Sequence, residues 1–268
     1  MTGTRIVGIT LVRDEDLYVE QAVRNVSGFC DKLILVDNRS CDETPRILER
    51  LAAELPHTSL HHAKHPSVSH DLIAPLAGED VWVFGVDGDE LYDPAGLAAF
   101  KPRLLAGELD EYFQIRGNVV HCTEVDGRGA AGYLSPPSLS MTKLYNFKII
   151  ESWNGRHSQR LHGVEGLRFK PPHEYSRYRL NEEHAWDASP FRCLHLCFMR
   201  RSSRERWRKG ALRESPGEIY AVPRRLPVRA LRHARTAVGF PPSSRLKGER
   251  YRLGEQVTVS AAAFLGGA

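Results

Sequence analysis

Nothing in this chain approaches the roughly 18 consecutive apolar residues that a membrane-spanning helix needs, so a helical membrane span is not expected. Cysteine is sparse and odd in number, with Cys30, Cys41, Cys122, Cys193 and Cys197 widely scattered. Such a set does not make a disulfide framework, and a reducing compartment is the simpler expectation. The opening MTGTRIVGITLVRDED turns charged before an apolar run reaches signal-peptide length. An excess of one charge is also missing. The 37 basic and 33 acidic residues leave a net +4, well short of the footprint of a dedicated nucleic-acid binder. The expectation is a cytoplasmic protein with no nucleic-acid partner, whose outside contact with membrane is at most peripheral.

What is present is enough for a sizeable core: 268 residues, 41% hydrophobic, which suits one large domain or one domain with a small appendage. The pattern alternates. Ile6 to Val12 reads as a buried strand and Leu17 to Phe29 as a helix with Val19, Ala22, Val23 and Val26 on one face. Lys32 to Asp37 is a second buried strand, and Thr44 to Leu55 a second helix. Strand, helix, strand, helix at this spacing predicts a mostly parallel central sheet flanked by helices. Further strands are expected within His57–His70, at Val81–Val86, from Glu111 to Val120, over Lys143–Ile150 and from Phe191 onward, with a helix over Pro94–Leu105. Gly127–Pro137 reads as a loop. Ser202–Arg213 reads as a basic helix, and residues 214–268, broken by prolines and arginines, as a C-terminal appendage with one or two helices. The main domain is then 1–213, with a ligand-binding half over 1–100 and a second half over 101–213.

Ligands of open α/β sheets bind outside the carboxyl ends of the strands, and two predicted strands end there in acids. One ends at Asp37, the other at Asp87-Gly88-Asp89. Two carboxylates one residue apart repel unless a cation lies between them. Hard oxygen donors suit Mn²⁺ or Mg²⁺ held jointly with substrate phosphates. Asp37 can accept the imide N–H of uracil or thymine, or the N1–H and amino group of guanine. Its alternative, as a helix cap, is served better by Ser40 and Asp42.

These residues resemble the GT-A-fold glycosyltransferases, in particular the family-2-like branch. The matching pieces are Ile9-Thr-Leu-Val-Arg-Asp-Glu15, Leu33-Ile-Leu-Val-Asp-Asn-Arg-Ser-Cys-Asp-Glu-Thr44 and Val83-Phe-Gly-Val-Asp-Gly-Asp-Glu90, followed by His195-Leu-Cys-Phe-Met-Arg-Arg-Ser-Ser203. The resemblance implies a Rossmann-like GT-A domain. Thr10, Arg13 and Asp37 would line the nucleoside pocket, Asp87 and Asp89 would hold a divalent metal on the diphosphate, and His195 would complete the metal site. Arg200 and Arg201 would lie near the diphosphate. It implies transfer of a sugar from a nucleotide diphosphate, with UDP ahead of GDP or dTDP, to an acceptor hydroxyl with inversion. The acceptor class stays open among a glycan, a lipid-linked intermediate and a small molecule. The general base is sought between Glu151 and Glu183, with Glu165 first, Glu174 second and His162 third. The sequence departs from the family pattern at Asp14, where Asn is usual.

Other readings weigh against this one. A nucleotidyltransferase would show a Gly-rich phosphate loop after the first strand, and Thr10 to Glu15 contains no glycine. A phosphohydrolase could use an acid pair in the same place, and a non-catalytic protein could hold a polyanion on the arginine-rich C-terminal third. Cys193, His195 and Cys197 alternate along one strand, but a structural zinc site normally needs four ligands and no matching pair stands nearby in sequence. His57, His61, His62, His65 and His70 are expected in a solvated loop. Trp153 is expected as core packing or as a platform for a sugar face.

Overall fold

The computed structural model describes residues 3–135, 142–153, 167–205, 212 and 248–266. The predicted alternation is realised at the start of the chain. Strand β1 (Arg5–Val12) leads to helix α1 (Val19–Ser27), β2 (Lys32–Asp37), α2 (Thr44–Glu54) and β3 (Thr58–His62). A short helix α3 (Val68–Ile73) precedes β4 (Val81–Val86), which is followed at once by β5 (Glu90–Tyr92) and α4 (Pro94–Leu105). Then come β6 (Gln114–Arg116), β7 (Asn118–Val125), β8 (Gly129–Ser135), β9 (Lys143–Asn146), β10 (Ile150–Ser152), β11 (Arg168–Phe169), β12 (Arg177–Arg179), α5 (Leu180–Glu183), β13 (Arg192–His195) and β14 (Gln256–Ser260).

Seven strands form the main sheet, in the order β12-β6-β9-β4-β1-β2-β3. The strands β4, β1, β2 and β3 are parallel. Only β9 runs against its neighbours β4 and β6. Alternation along the strands divides the core between the two faces. Leu33, Leu35, Trp82, Phe84 and Val86 pack with Val19, Val23, Leu48 and Phe100 of α1, α2 and α4. Ile34, Val36, Val81 and Val83 pack on the other face with Ile73, Phe147 and Trp153. Trp153 is therefore a core residue, 4% exposed, and its indole N–H donates to His70 Nδ1 at 3.1 Å. His70 is itself buried rather than part of a solvated loop.

A second sheet of five strands has the order β14-β8-β7-β13-β5. Three expectations change here. Gly129–Ser135 is a strand, not a loop, because it pairs with β7 on one side and β14 on the other. The run from Glu111 to Val120 is two strands that enter different sheets. The last strand, Gln256–Ser260, is built into the second sheet rather than into a separate appendage. Ser202–Ser203 and the two residues after them are not helical, and most of the predicted basic helix, like residues 213–247, lies outside the described residues. Among the described residues no helix is long and apolar enough to cross a membrane.

The two sheets meet at one short turn. β4 belongs to the first and β5 to the second, and only Asp87, Gly88 and Asp89 separate them. This turn lies at the switch point of the main sheet. β1 leads to β2 and β3 on one side, and β4 then joins β1 on the other, which opens a crevice at the carboxyl ends of β1 and β4.

Candidate active site

Asp89 is almost fully buried, and Asp87 keeps slightly more solvent access. Asp87 Oδ1 accepts from Lys143 Nζ at 2.7 Å, and the same ammonium reaches Glu90 Oε1 at 3.0 Å. Lys143 comes from β9, where it sits opposite Gly85 of β4. Burial pushes the Glu90 carboxyl up, Lys143 pulls it down, and Asp87 adds to the rise. The Tyr92 hydroxyl donates to Glu90 Oε2 at 3.3 Å.

Asp89 has different partners. Its Oδ2 accepts from Arg201 Nη1 at 2.5 Å and lies 3.6 Å from His195 Nε2. Arg201 also approaches Glu15 Oε1 at 3.4 Å, and Glu15 is buried. Desolvation opposes the charge on Arg201, but Asp89 and Glu15 outweigh it and hold the guanidinium protonated. His195 shows the same contest. Burial lowers its pKa while Cys197 and Asp89 raise it, to about 10. His195 arrives by strand register: on β13 it stands opposite Glu90 on β5, and Leu196 N–H donates to the Asp89 carbonyl at 2.8 Å.

Gly88 permits this packing. A Cβ there would lie 2.7 Å from Val12 Cγ1 and 3.1 Å from Glu15 Cβ, so any side chain would push the turn away from the end of β1.

The loops after β1 and β2 and the segment after β13 are tied into one seam. Asp14 N–H donates to Ser40 Oγ at 2.9 Å, and Cys41 N–H donates to Asp14 Oδ1 at 2.6 Å. Asp14 has φ 52°, a left-handed conformation that Asp tolerates better than most residues. Its side chain thus has a structural partner in the loop after β2. The Ser202 hydroxyl donates to Asp42 Oδ2 at 2.6 Å, and Ser203 N–H to Asp16 Oδ1 at 2.7 Å. Asp42 also receives the N–H of Thr44 at 3.0 Å, at the start of α2.

At the end of β2, Asp37 is buried, accepts Ser40 N–H at 3.2 Å and has His62 Nδ1 3.6 Å from Oδ2. Thr10, in register with Leu35 and Val86, buries a hydroxyl that has no hydrogen-bond partner among the described residues. Arg13 lies beside Asp14 at 3.7 Å.

The structure therefore gathers Thr10, Arg13, Asp37, Asp87, Asp89 and His195 at one edge of the main sheet. Arg200 is held differently. Its guanidinium donates to the carbonyls of Ser202 and Ser203, and Arg201 is the residue that turns in to Asp89. Glu174 is not brought to this edge. β12 runs in the same direction as β4, being parallel to β6 and separated from β4 by antiparallel β9. Glu174, exposed and just ahead of β12, emerges at the end of the sheet opposite Asp87. Glu165 and His162 lie outside the described residues. Sequence reasoning missed Glu15, Lys143 and His121. Lys143 had no signal beyond being a basic residue in an apolar strand. Glu15 closes the motif Ile9–Glu15, and its burial is a tertiary effect.

No family model and no curated protein sequence matches this chain. Solved structures that resemble it in part include the following two. One is glucosyl-3-phosphoglycerate synthase from Mycobacterium tuberculosis, in complex with Mn²⁺, UDP and glucosyl-3-phosphoglycerate, at 17% identity and a TM-score of 0.32, over 44% of this chain and 44% of that one. The other is the mannosyltransferase PcManGT from Pyrobaculum calidifontis, in complex with GDP-Man and Mn²⁺, at 19% identity and a TM-score of 0.32, over 45% of this chain and 36% of that one. The chain thus spans less than half the length of either protein.

Proposed function

We propose that this chain is a divalent-metal-dependent glycosyltransferase of the GT-A type, moving a sugar from a nucleotide diphosphate to an acceptor hydroxyl with inversion. The observation that carries the reading is the Asp87-Gly88-Asp89 turn at the switch point between β1 and β4, with Asp37 at the end of the neighbouring β2. The acidic pair and the second acid stand where an α/β sheet holds its ligand.

The donor set fits a Mn²⁺ or Mg²⁺ ion. Asp87 and Asp89 supply hard oxygens, and His195 Nε2 flanks Asp89 Oδ2 at 3.6 Å, a borderline nitrogen that Mn²⁺ accepts. Lys143 pairs with Asp87 and Arg201 with Asp89, so each acid has a cationic partner. A bound ion would offset the negative charge that gathers on the diphosphate leaving group. Asp37 would accept a base N–H, the buried Thr10 hydroxyl offers a further polar contact, and Arg201 adds a fixed positive charge beside the acids. The expected donor carries uracil, with guanine and thymine as alternatives. The acceptor is a glycan, a lipid-linked intermediate or a small molecule.

Calorimetric titration of UDP, GDP and dTDP, each with and without Mn²⁺, tests this on the wild type and on Asp89→Asn and Asp37→Asn. One nucleotide should bind only with metal. Asp89→Asn should abolish that binding, and Asp37→Asn should weaken it about tenfold or more while leaving the metal requirement, consistent with loss of a charge-assisted hydrogen bond. No binding by any nucleotide under any condition would sink the reading and favour a polyanion-binding role for the arginine-rich C-terminal third.

A further inference from the structure

Behind the acidic turn, three metal-donor side chains converge in the second sheet. His121 on β7 stands in register with His195 on β13, so the parallel pair projects both rings from the same face. Their Nδ1 atoms are 3.0 Å apart, and Cys197 Sγ is 3.9 Å from His121 Nδ1. All three donor atoms lie within 4.8 Å of one another, and all three residues are buried. The rings are inclined at 68°, and Tyr251 stacks on His121 at 4.3 Å and 8°, which fixes its plane.

We propose that His121, His195 and Cys197 form a site for a thiophilic divalent ion of the zinc type, which shares only His195 with the hard-metal site at Asp87 and Asp89. Tetrahedral zinc with Zn–N near 2.0–2.1 Å and Zn–S near 2.3 Å sets its donors about 3.4–3.6 Å apart. The spacings of 3.0 and 3.9 Å bracket that value, so small ring and thiol rotations complete the geometry. Two imidazoles and a thiolate suit zinc and disfavour Mg²⁺. The orienting partner of a ligating histidine is already in place. His195 uses Nδ1 toward the cluster and Nε2 toward the Asp89 carboxylate at 3.6 Å, the carboxylate–histidine arrangement that fixes a ligand's tautomer. Binding releases two protons to solvent, the Cys197 thiol proton and the Nδ1 proton of His195. Both imidazoles are neutral in the complex, with the His195 proton on Nε2. The fourth position is left for water or a ligand, as in zinc sites with three protein donors. His195 therefore serves one ion at a time, and the site stands whether or not the chain transfers sugar.

The test is a Co²⁺ titration of the full chain, followed by zinc displacement. A near-ultraviolet thiolate-to-cobalt charge-transfer band should saturate near one equivalent. It should vanish in Cys197→Ser and persist, at weaker affinity, in Asp89→Asn. His121→Gln should weaken zinc binding at least tenfold. X-ray absorption on the zinc-loaded wild type needs no variant to fold, and should show one sulfur with two imidazole nitrogens. A wild-type chain without the band, a band that survives Cys197→Ser, or a zinc shell of oxygen and nitrogen alone would each overturn the proposal. None of these outcomes bears on the nucleotide titration, so the two readings fail separately.

Discussion

Lys143 shows how single residues set the charge state of this site. Its ammonium is buried between Asp87 and Glu90, and without it two carboxylates would share a low-dielectric pocket. Removing one partner of a buried ion pair leaves the others uncompensated and typically costs several kcal/mol. Lys143→Met is accordingly expected to lower unfolding stability by roughly 3–5 kcal/mol at neutral pH, read by urea denaturation, and to recover part of the loss when Glu90→Gln is added. Gly88 acts by absence. Gly88→Ala places a methyl against Val12 and Glu15, so it should impair the proposed Mn²⁺-dependent nucleotide binding while leaving far-ultraviolet circular dichroism unchanged.

At the scale of elements, the stretch from Leu196 to Glu205 is held to the loops after β1 and β2 by side-chain bonds and by the Leu17 N–H, which donates to the Arg201 carbonyl at 3.2 Å. Asp42 is its main anchor, since it also receives the first N–H of α2. Burial raises the Asp42 pKa, but the hydrogen bonds from Ser202 and Thr44 outweigh burial and leave it lowered. The folded-state value then lies below the unfolded one, so this contribution is fully present above about pH 4 and is lost as pH falls through the lower folded-state value. Asp42→Ala should cost about 1–2 kcal/mol at pH 7 through the lost cap and hydroxyl bond. The difference between variant and wild type should shrink in acid, as measured by thermal melts from pH 7 down to pH 3.

At the scale of the whole molecule, Asn25 of α1 joins distant parts of the chain. Its buried amide donates to the Tyr92 carbonyl at 2.8 Å and to the Phe264 carbonyl at 2.7 Å. One side chain thus links the first helix, the strand after the acidic turn and the final segment. Asn25→Ala orphans two buried carbonyls, and a loss of about 2–4 kcal/mol is expected. Faster proteolysis within residues 248–266 should accompany it, visible by mass spectrometry of a limited digest.

Periodicity made the first half of the main sheet legible. The apolar runs at Ile6, Leu33 and Val81 each fill a strand buried on both faces, and local hydrophobicity is enough to mark such strands. The acids at Asp37, Asp87 and Asp89 could be placed because they directly follow those runs. Gly129–Ser135 was not legible, since its glycines and serine resemble a loop until β7 and β14 supply its hydrogen bonds. The tail strand Gln256–Ser260 was hidden for the same reason: its pairing partner lies more than a hundred residues away.

The sequence alone determined the parallel α/β frame and the line of acids at its carboxyl edge, because both follow from local pattern and from the direction in which strands run. Tertiary structure decided which cations meet those acids. It chose Arg201 over Arg200, brought Lys143 between Asp87 and Glu90, left Glu174 at the far edge, and set His121 beside His195 and Cys197. For Lys143, His121 and His195 those choices depend on register between strands distant in the chain, and a one-residue change in register would turn each of these three side chains to the other face.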